Sequence, residues 1–419
     1  MKKNTIDKGG YILHTINKKG FKNNIIKIIF KDKYDKDSVT ANNLLIDCLT
    51  YSTKNYPSRR DLLRRYEYLY DMDIRSRVSR TGKIVFTELM LEFLDPKYCE
   101  PNYLEEVIGM LFEIINNPKI DKNGFDKENF DISKSAYLSY LETLSESSGK
   151  YAYRRALYNM DKDSISTYSM DGDIEELKKI KRKDLINNYN HLINDTECHI
   201  FVCGDLDMKK VEQIIDDNYK KNKKNIIKDD YYVDNKKRDK VLDVEESGPY
   251  KQDILYMIFN IDKLNKYEEE VLLPVYSYIL SDGGLTSKLY KRVREDNALC
   301  YSISSFYDRY DGLFFTCSGI SRDNKELCVK LINECYKEMA DGKFTKKELE
   351  EAKRYLVHSL DNADNSIGRI INGKIGEELI HIYSVKEKQK LYKNVTKEEL
   401  INISNKIHIN TIYMLRGEA

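Results

Sequence analysis

The chain has no tryptophan and only six prolines in 419 residues. Histidine is also scarce, with six scattered copies: His14, His191, His199, His358, His381 and His408. No two of them stand four apart, and the nearest pair, His191 and His199, is eight apart. This excludes the pair of imidazoles on one helix face by which many peptidases hold zinc. No two of the eight cysteines have CxxC spacing, and most lie in apolar stretches, where a thiol packs as a small hydrophobe. A reducing cytoplasm is therefore expected rather than a disulfide framework. No run approaches the ~20 apolar residues of a membrane helix. The segment from Ile25 to Phe30 is short and interrupted by Lys27, so neither a membrane span nor a signal peptide is expected. Charge of one sign is also lacking. Lys and Arg number 70 against 69 Asp and Glu, which leaves no global field for nucleic acid or a lipid surface.

What is present is a repeat. Lys, Asn, Ile and Tyr are abundant, as in the products of AT-rich genomes, and the 41% hydrophobic content supports packed cores. The length implies more than one domain. In the first half, Leu44–Leu49 opens a helical pattern. Ser58 offers an N-cap, with Asp61 three residues on, before Leu62, Leu63, Tyr66, Leu69 and Tyr70 at helical spacing. Ile84–Leu94 alternates as a strand, with Val85, Leu89, Leu91 and Phe93 on one face. Helices are expected over Leu104–Ile115 and Phe125–Leu144, and a strand over Cys198–Cys203 ending at Gly204. The second half replays this order. It has helical patterns over Val271–Leu280 and Leu285–Glu295, and strands over Tyr301–Phe306 and Leu313–Cys317. Helices follow over Leu327–Met339 and Lys346–Leu360, and a strand over Thr411–Leu415 ends at Gly417. Between the halves, Tyr219–Lys240 is rich in Lys, Asn and Asp and reads as a solvated linker. A nucleic-acid patch there is disfavoured, because Asp229, Asp230 and Asp234 interrupt the lysines.

The expected fold is therefore α+β. It has two similar domains from an internal duplication, 1–220 and 241–419 with a linker at 221–240, each an antiparallel-rich sheet with helices on one face.

The richest motif runs from Leu280 to Ser302. Gly283-Gly284 follows a helix; then come Ser287-Lys288-Leu289, Val293-Arg294-Glu295, and Leu299-Cys300-Tyr301 entering a strand. This order, without a gap, resembles the second domain of the pitrilysin/insulinase-type peptidases, the inverzincins whose metal motif is HxxEH. The duplication and the length of the halves extend the likeness over nearly the whole chain. The resemblance implies a clamshell around an extended peptide. Arg294 and Tyr301 would reach over a zinc held by a first domain and stabilise the charge that builds on the scissile carbonyl oxygen.

The metal half departs from the family. Aligned on its loop after the motif, Asn43 and Asp47 fall where the histidines belong and Ile46 where the catalytic Glu belongs. The further Glu ligand should fall near Lys134. An amide is a poor zinc donor, so no metal residue is assigned to this chain. The resemblance then implies a silent subunit, inactive alone, that completes the active site of an HxxEH-bearing paralogue as a heterodimer. Zinc would sit on the partner, with no nucleic acid or membrane involved. Length and lost ligands are similar to the silent member of a bacterial pair associated with 5-aminopentanol modification of elongation factor P. The alternatives are a structural scaffold and a peptide-binding adaptor without chemistry.

Other constellations are weaker. Cys198, His199 and Cys203 share one strand, but the first two point to opposite faces. Gly283-Gly284 lacks the Lys-Ser/Thr of a phosphate loop and reads as a helix C-cap. Glu377-Glu378 and the run Lys346–Arg354 read as solvated helix faces.

Overall fold

Runs of β-branched and aromatic residues dictate the strands, and a computed structural model describing residues 2–219 and 225–418 shows how they pair. The strands are β1 (Lys2–Asp7), β2 (Ile12–Asn17), β3 (Asn23–Lys33), β4 (Asp73–Thr81), β5 (Ile84–Leu94), β6 (Ile120–Asp121) and β7 (Gly124–Phe125). They continue with β8 (Glu197–Gly204), β9 (Leu242–Gly248), β10 (Asp253–Ile261), β11 (Cys300–Asp308), β12 (Leu313–Ile320) and β13 (Ile407–Gly417). One sheet has the order β1-β2-β8-β3-β5-β4 and the other β11-β12-β10-β13-β9; β6 and β7 form a small hairpin.

These orders carry the duplication. Reading β2, β3, β4, β5 and β8 as the counterparts of β9, β10, β11, β12 and β13 makes the two sheets the same, strand for strand. Even the exception is repeated: β2 pairs parallel to β8, and β9 parallel to β13, while every other pair is antiparallel. Strand β1 is an addition at one edge.

The principal helices of the first half are α1 (Lys36–Tyr51), α2 (Arg59–Tyr68), α3 (Tyr103–Asn116), α4 (Lys127–Glu146) and α5 (Ser148–Met160). Ser58 caps α2 as its sequence position predicts, its hydroxyl accepting from the Asp61 amide. Strand β5 buries Leu89, Leu91 and Phe93 between half-exposed neighbours, as the alternation predicts.

The chain divides into two compact units whose composition was not evident from the sequence. The first holds Met1–Thr143, Tyr168–Tyr231 and Asp364–Ile375; the second holds Leu144–Thr167, Tyr232–Ala363 and Gly376–Ala419. Each half thus sends a segment into the unit built mainly from the other, across the expected boundaries of 1–220 and 241–419. In the second unit, Leu255, Met257 and Phe259 of β10 face a core made with residues 268–282 and 325–340. Tyr256 and Ile258 point the other way, onto Ala152, Ala156, Leu157 and Met160 of α5. A helix of the first half therefore covers a second face of this sheet. In the first unit, Ile370 and Ile371 of the incoming segment are buried, and Lys27 of β3 donates to Asn372 at 3.0 Å.

The expected solvated linker needs correction. Residues 220–224 lie outside the described residues. Further on, Tyr231, Val233 and Asn235 are buried, and Asn235 donates to Asp311 O at 2.6 Å. Polar composition hid a stretch that runs along the protein with its few large side chains turned inward.

Candidate functional site

The residues singled out in the sequence lie at two places, one in each unit. In the second unit, the Gly-Gly motif ends a helix that is not purely α. Residues 268–272 and 278–282 are π-helical around a short α-helical turn. The Gly283 N–H closes the last π turn on Tyr278 O at 2.8 Å. Gly284 then takes φ +61°, in the left-handed region that favours glycine. The C-cap reading of this pair holds.

Arg294 lies in a further π-helical stretch, Tyr290–Glu295. The turn after it is tight. The Ala298 N–H donates to Arg294 O at 2.9 Å and the Leu299 N–H to Val293 O at 3.1 Å, with Ala298 at φ 51°. This reversal returns the chain beside the helix as β11, and Tyr301 comes back alongside Arg294. The guanidinium carbon lies 5.2 Å from the centre of the Tyr301 ring and 4.6 Å from that of Tyr290. Cation–π stacking at such distances is worth ~0.5–1 kcal/mol per exposed contact and orients both partners. Glu295, at 3.9 Å, is only a loose ion partner. Tyr301 is 82% exposed. A large aromatic left open at a sheet edge, but stacked on a cation, is poised for contact rather than for packing. Sequence reasoning missed Tyr290; its position four residues before Arg294 is the signal that could have found it.

In the first unit, α1 presents Asn43, Ile46 and Asp47 to a cleft of about 890 Å³. The opposite wall comes from α4 and the edge strand β4. Asn43 Nδ2 donates to Val39 O at 3.0 Å and to Met170 O at 2.9 Å, so its amide is committed to backbone carbonyls. Asp47 stays open to the cleft by surface area, yet its recessed position pushes its carboxyl up to about 6. The two observations agree if solvent reaches the group from one side only, as on a cleft floor.

Near Lys134, where the family's further Glu ligand was expected to fall, no carboxylate faces the cleft. Lys134 turns away from the cleft and donates to Lys178 O at 2.9 Å and Ile180 O at 2.8 Å. The α4 residues facing α1 are Ser133, Ala136 and Tyr137, and none offers a carboxylate. An amide, an isoleucine and one lone carboxylate do not fit zinc. Among the described residues, no group of three or more His, Cys, Asp or Glu is placed to hold a metal ion. Cys198, His199 and Cys203 are buried in central strand β8, with His199 hydrogen-bonded to His14 at 3.0 Å and Glu197 at 2.9 Å.

Comparison with known proteins agrees with this geometry. Residues 179–356 match the profile described as Peptidase M16 inactive domain. The chain is 25% identical over 419 residues to the "Probable inactive metalloprotease YmfF" of Bacillus subtilis, covering 98% of this chain and 96% of that one. The chain is thus similar to silent peptidases of the pitrilysin/insulinase-type, or M16, family. Its fold is shared with a conserved protein from Enterococcus faecalis V583, at TM-score 0.91 and 22% identity over 99% of both chains. A peptidase M16 inactive domain from Pseudomonas fluorescens superposes at TM-score 0.82 and 18% identity, over 100% of this chain and 98% of that one. The chain keeps the fold of these structures, and its sequence has no HxxEH motif. Among the described residues, no helix is long and apolar enough to cross a membrane.

Proposed function

We propose that this chain is a non-catalytic subunit of a heteromeric zinc peptidase, lending Arg294 and Tyr301 to a partner's active site. One observation carries the reading: the guanidinium of Arg294 is stacked over the ring of an exposed Tyr301. Peptide hydrolysis builds negative charge on the scissile carbonyl oxygen. A phenol and a guanidinium held in place beforehand would favour the transition state over the ground state. The partner is an HxxEH-bearing paralogue that holds the zinc, and the substrate is an extended peptide. The heterodimer would be cytoplasmic, a placement supported by eight cysteines present as free thiols.

The test is reconstitution. The chain is recovered from its own cells with its copurifying proteins, and the complex is assayed on unstructured peptides. Arg294→Ala and Tyr301→Phe are expected to leave assembly intact and slow turnover on the order of 10²-fold. Unchanged turnover in both variants would defeat the reading. A second reading, a peptide-binding scaffold without catalysis, is supported by the cleft in the first unit, which has room for a ligand and no metal ligands. Recovery of the chain alone as a homodimer would favour it.

A further inference from the structure

The floor of the first unit's cleft is rich in acceptors, and its donors point elsewhere. On α1, Asn43, Asp47 and Thr50 stand at i, i+4 and i+7, which makes them one stripe of the helix. Ser133 and Tyr137 form a matching i, i+4 pair on α4. Each of the four neighbours of Asp47 has a donor that a carboxylate could use, and each gives it to another group. Asn43 Nδ2 is committed to the carbonyls of Val39 and Met170. Thr50 Oγ1 donates to Ile46 O at 2.9 Å, the back-bond a threonine makes within a helix. Ser133 Oγ donates to Asn129 Oδ1 at 3.2 Å, and the Tyr137 hydroxyl donates to Asp171 O at 2.5 Å.

No described residue supplies the Asp47 carboxylate with a donor or a counter-charge. Burial is the one force that shifts it, and no guanidinium of the cleft draws it back down. A carboxylate set back from water without a partner is costly, and binding sites keep such a cost because a ligand offsets it. The spent hydroxyls also retain their lone pairs, so Thr50, Ser133 and Tyr137 can each still accept a hydrogen bond. A primary ammonium is the complement of such a floor: it has three donors, a positive charge and no acceptor. Zinc is not, since one carboxylate and three hydroxyls are a poor ligand set for it. Ile46, Ile132 and Ala136 line the same cleft and offer an apolar surface beside the acceptors.

We propose that the floor of this cleft binds a small free primary amine, its ammonium paired with Asp47 and its hydrocarbon stem lying on Ile46, Ile132 and Ala136. The ammonium N–H groups that do not reach Asp47 are met by the oxygens of Thr50, Ser133 and Tyr137. The inference concerns the first unit alone and uses neither Arg294 nor Tyr301, so it and the shared active site can fail separately.

The test is isothermal titration calorimetry of the full chain with phenethylammonium, butylammonium, 3-phenylpropionate and zinc chloride. Both amines are expected to bind. Phenethylammonium should bind about tenfold or more tightly than 3-phenylpropionate, which has a similar size and the opposite charge. Asp47→Asn keeps the shape of the side chain and is expected to weaken both amines by about tenfold or more, the worth of a hydrogen bond to a charged group. Its thermal midpoint shows that the variant is folded. Thr50→Val leaves the charge in place, removes one acceptor and is expected to weaken both amines by about threefold. No binding of either amine, equal or tighter binding of 3-phenylpropionate, unchanged affinity in Asp47→Asn, or zinc bound through Asp47 would each overturn the proposal.

Discussion

Besides its apolar contacts, α5 is tied to the second sheet by one carboxylate, and Glu246→Gln tests that tie. Glu246 of β9 accepts from Arg155 Nε at 2.8 Å and from Arg155 Nη2 at 2.5 Å. It also accepts from Asn159 Nδ2 at 3.1 Å and from the Tyr413 hydroxyl at 2.9 Å. The Arg155 pairing first, then Asn159 and Tyr413, hold its carboxyl down to about 2, against an ordinary 4.5. Taken whole, that depression corresponds to ~3 kcal/mol of stability. The side chains are 33% and 23% exposed, so solvent screening reduces the figure. We expect Glu246→Gln to cost about 2 kcal/mol at pH 7. The pH dependence has a definite sign. A depressed carboxyl contributes fully above pH 4.5, where the unfolded group is already ionised, and the contribution is lost as pH falls toward 2. Urea unfolding of both proteins across this range should therefore show a gap that is constant from neutral pH to about 5 and closes below 4.5. A gap under ~0.5 kcal/mol at pH 7, or one that persists unchanged in acid, would refute the argument.

Two further substitutions probe the sites. Asp47→Asn should stabilise the chain at neutral pH, because burial raises this carboxyl to about 6 and the folded state carries its charge at a cost. Asp47 is open to the cleft, so the gain should be no more than about 1 kcal/mol; it should vanish as pH falls below 4. A thermal-shift series against pH measures it, and a gain that grows in acid would contradict the assignment. Gly284→Ala should cost ~1 kcal/mol from its left-handed backbone alone, since an added Cβ there meets nothing within 4 Å. Gly283→Ala should cost more, because its Cβ would sit 2.9 Å from Tyr278 O. Equal midpoints for the two variants in urea would contradict that ranking.

Much of the site was legible because its signals are local. The Gly-Gly turn, the Arg294 helix and the Tyr301 strand follow one another within a single stretch, and each is dictated by nearby residues. The missing metal set was legible from histidine spacing alone, which needs no fold. The ligand position could be read only as near Lys134, because alignment by spacing carries an error of a residue or two. On a helix, one residue is a rotation of about 100°, enough to turn a side chain out of a cleft. The π-helical geometry under Arg294 was hidden for a related reason. A short apolar pattern fits an α-helix and a π-helix nearly equally well.

By itself the sequence determined the α+β class, the doubling of a common order of elements, the strand ends and caps, and the absence of HxxEH. All of these depend on residue type and short-range period, which the backbone expresses wherever the segment lies. Only the tertiary structure decided that α5 covers the sheet of the second unit while residues 364–375 join the first. It alone set the arginines of β4 beside a cleft. An amphipathic helix announces that it has an apolar face to bury but not which sheet will bury it. That choice is made by packing between residues hundreds of positions apart, and no local pattern records it.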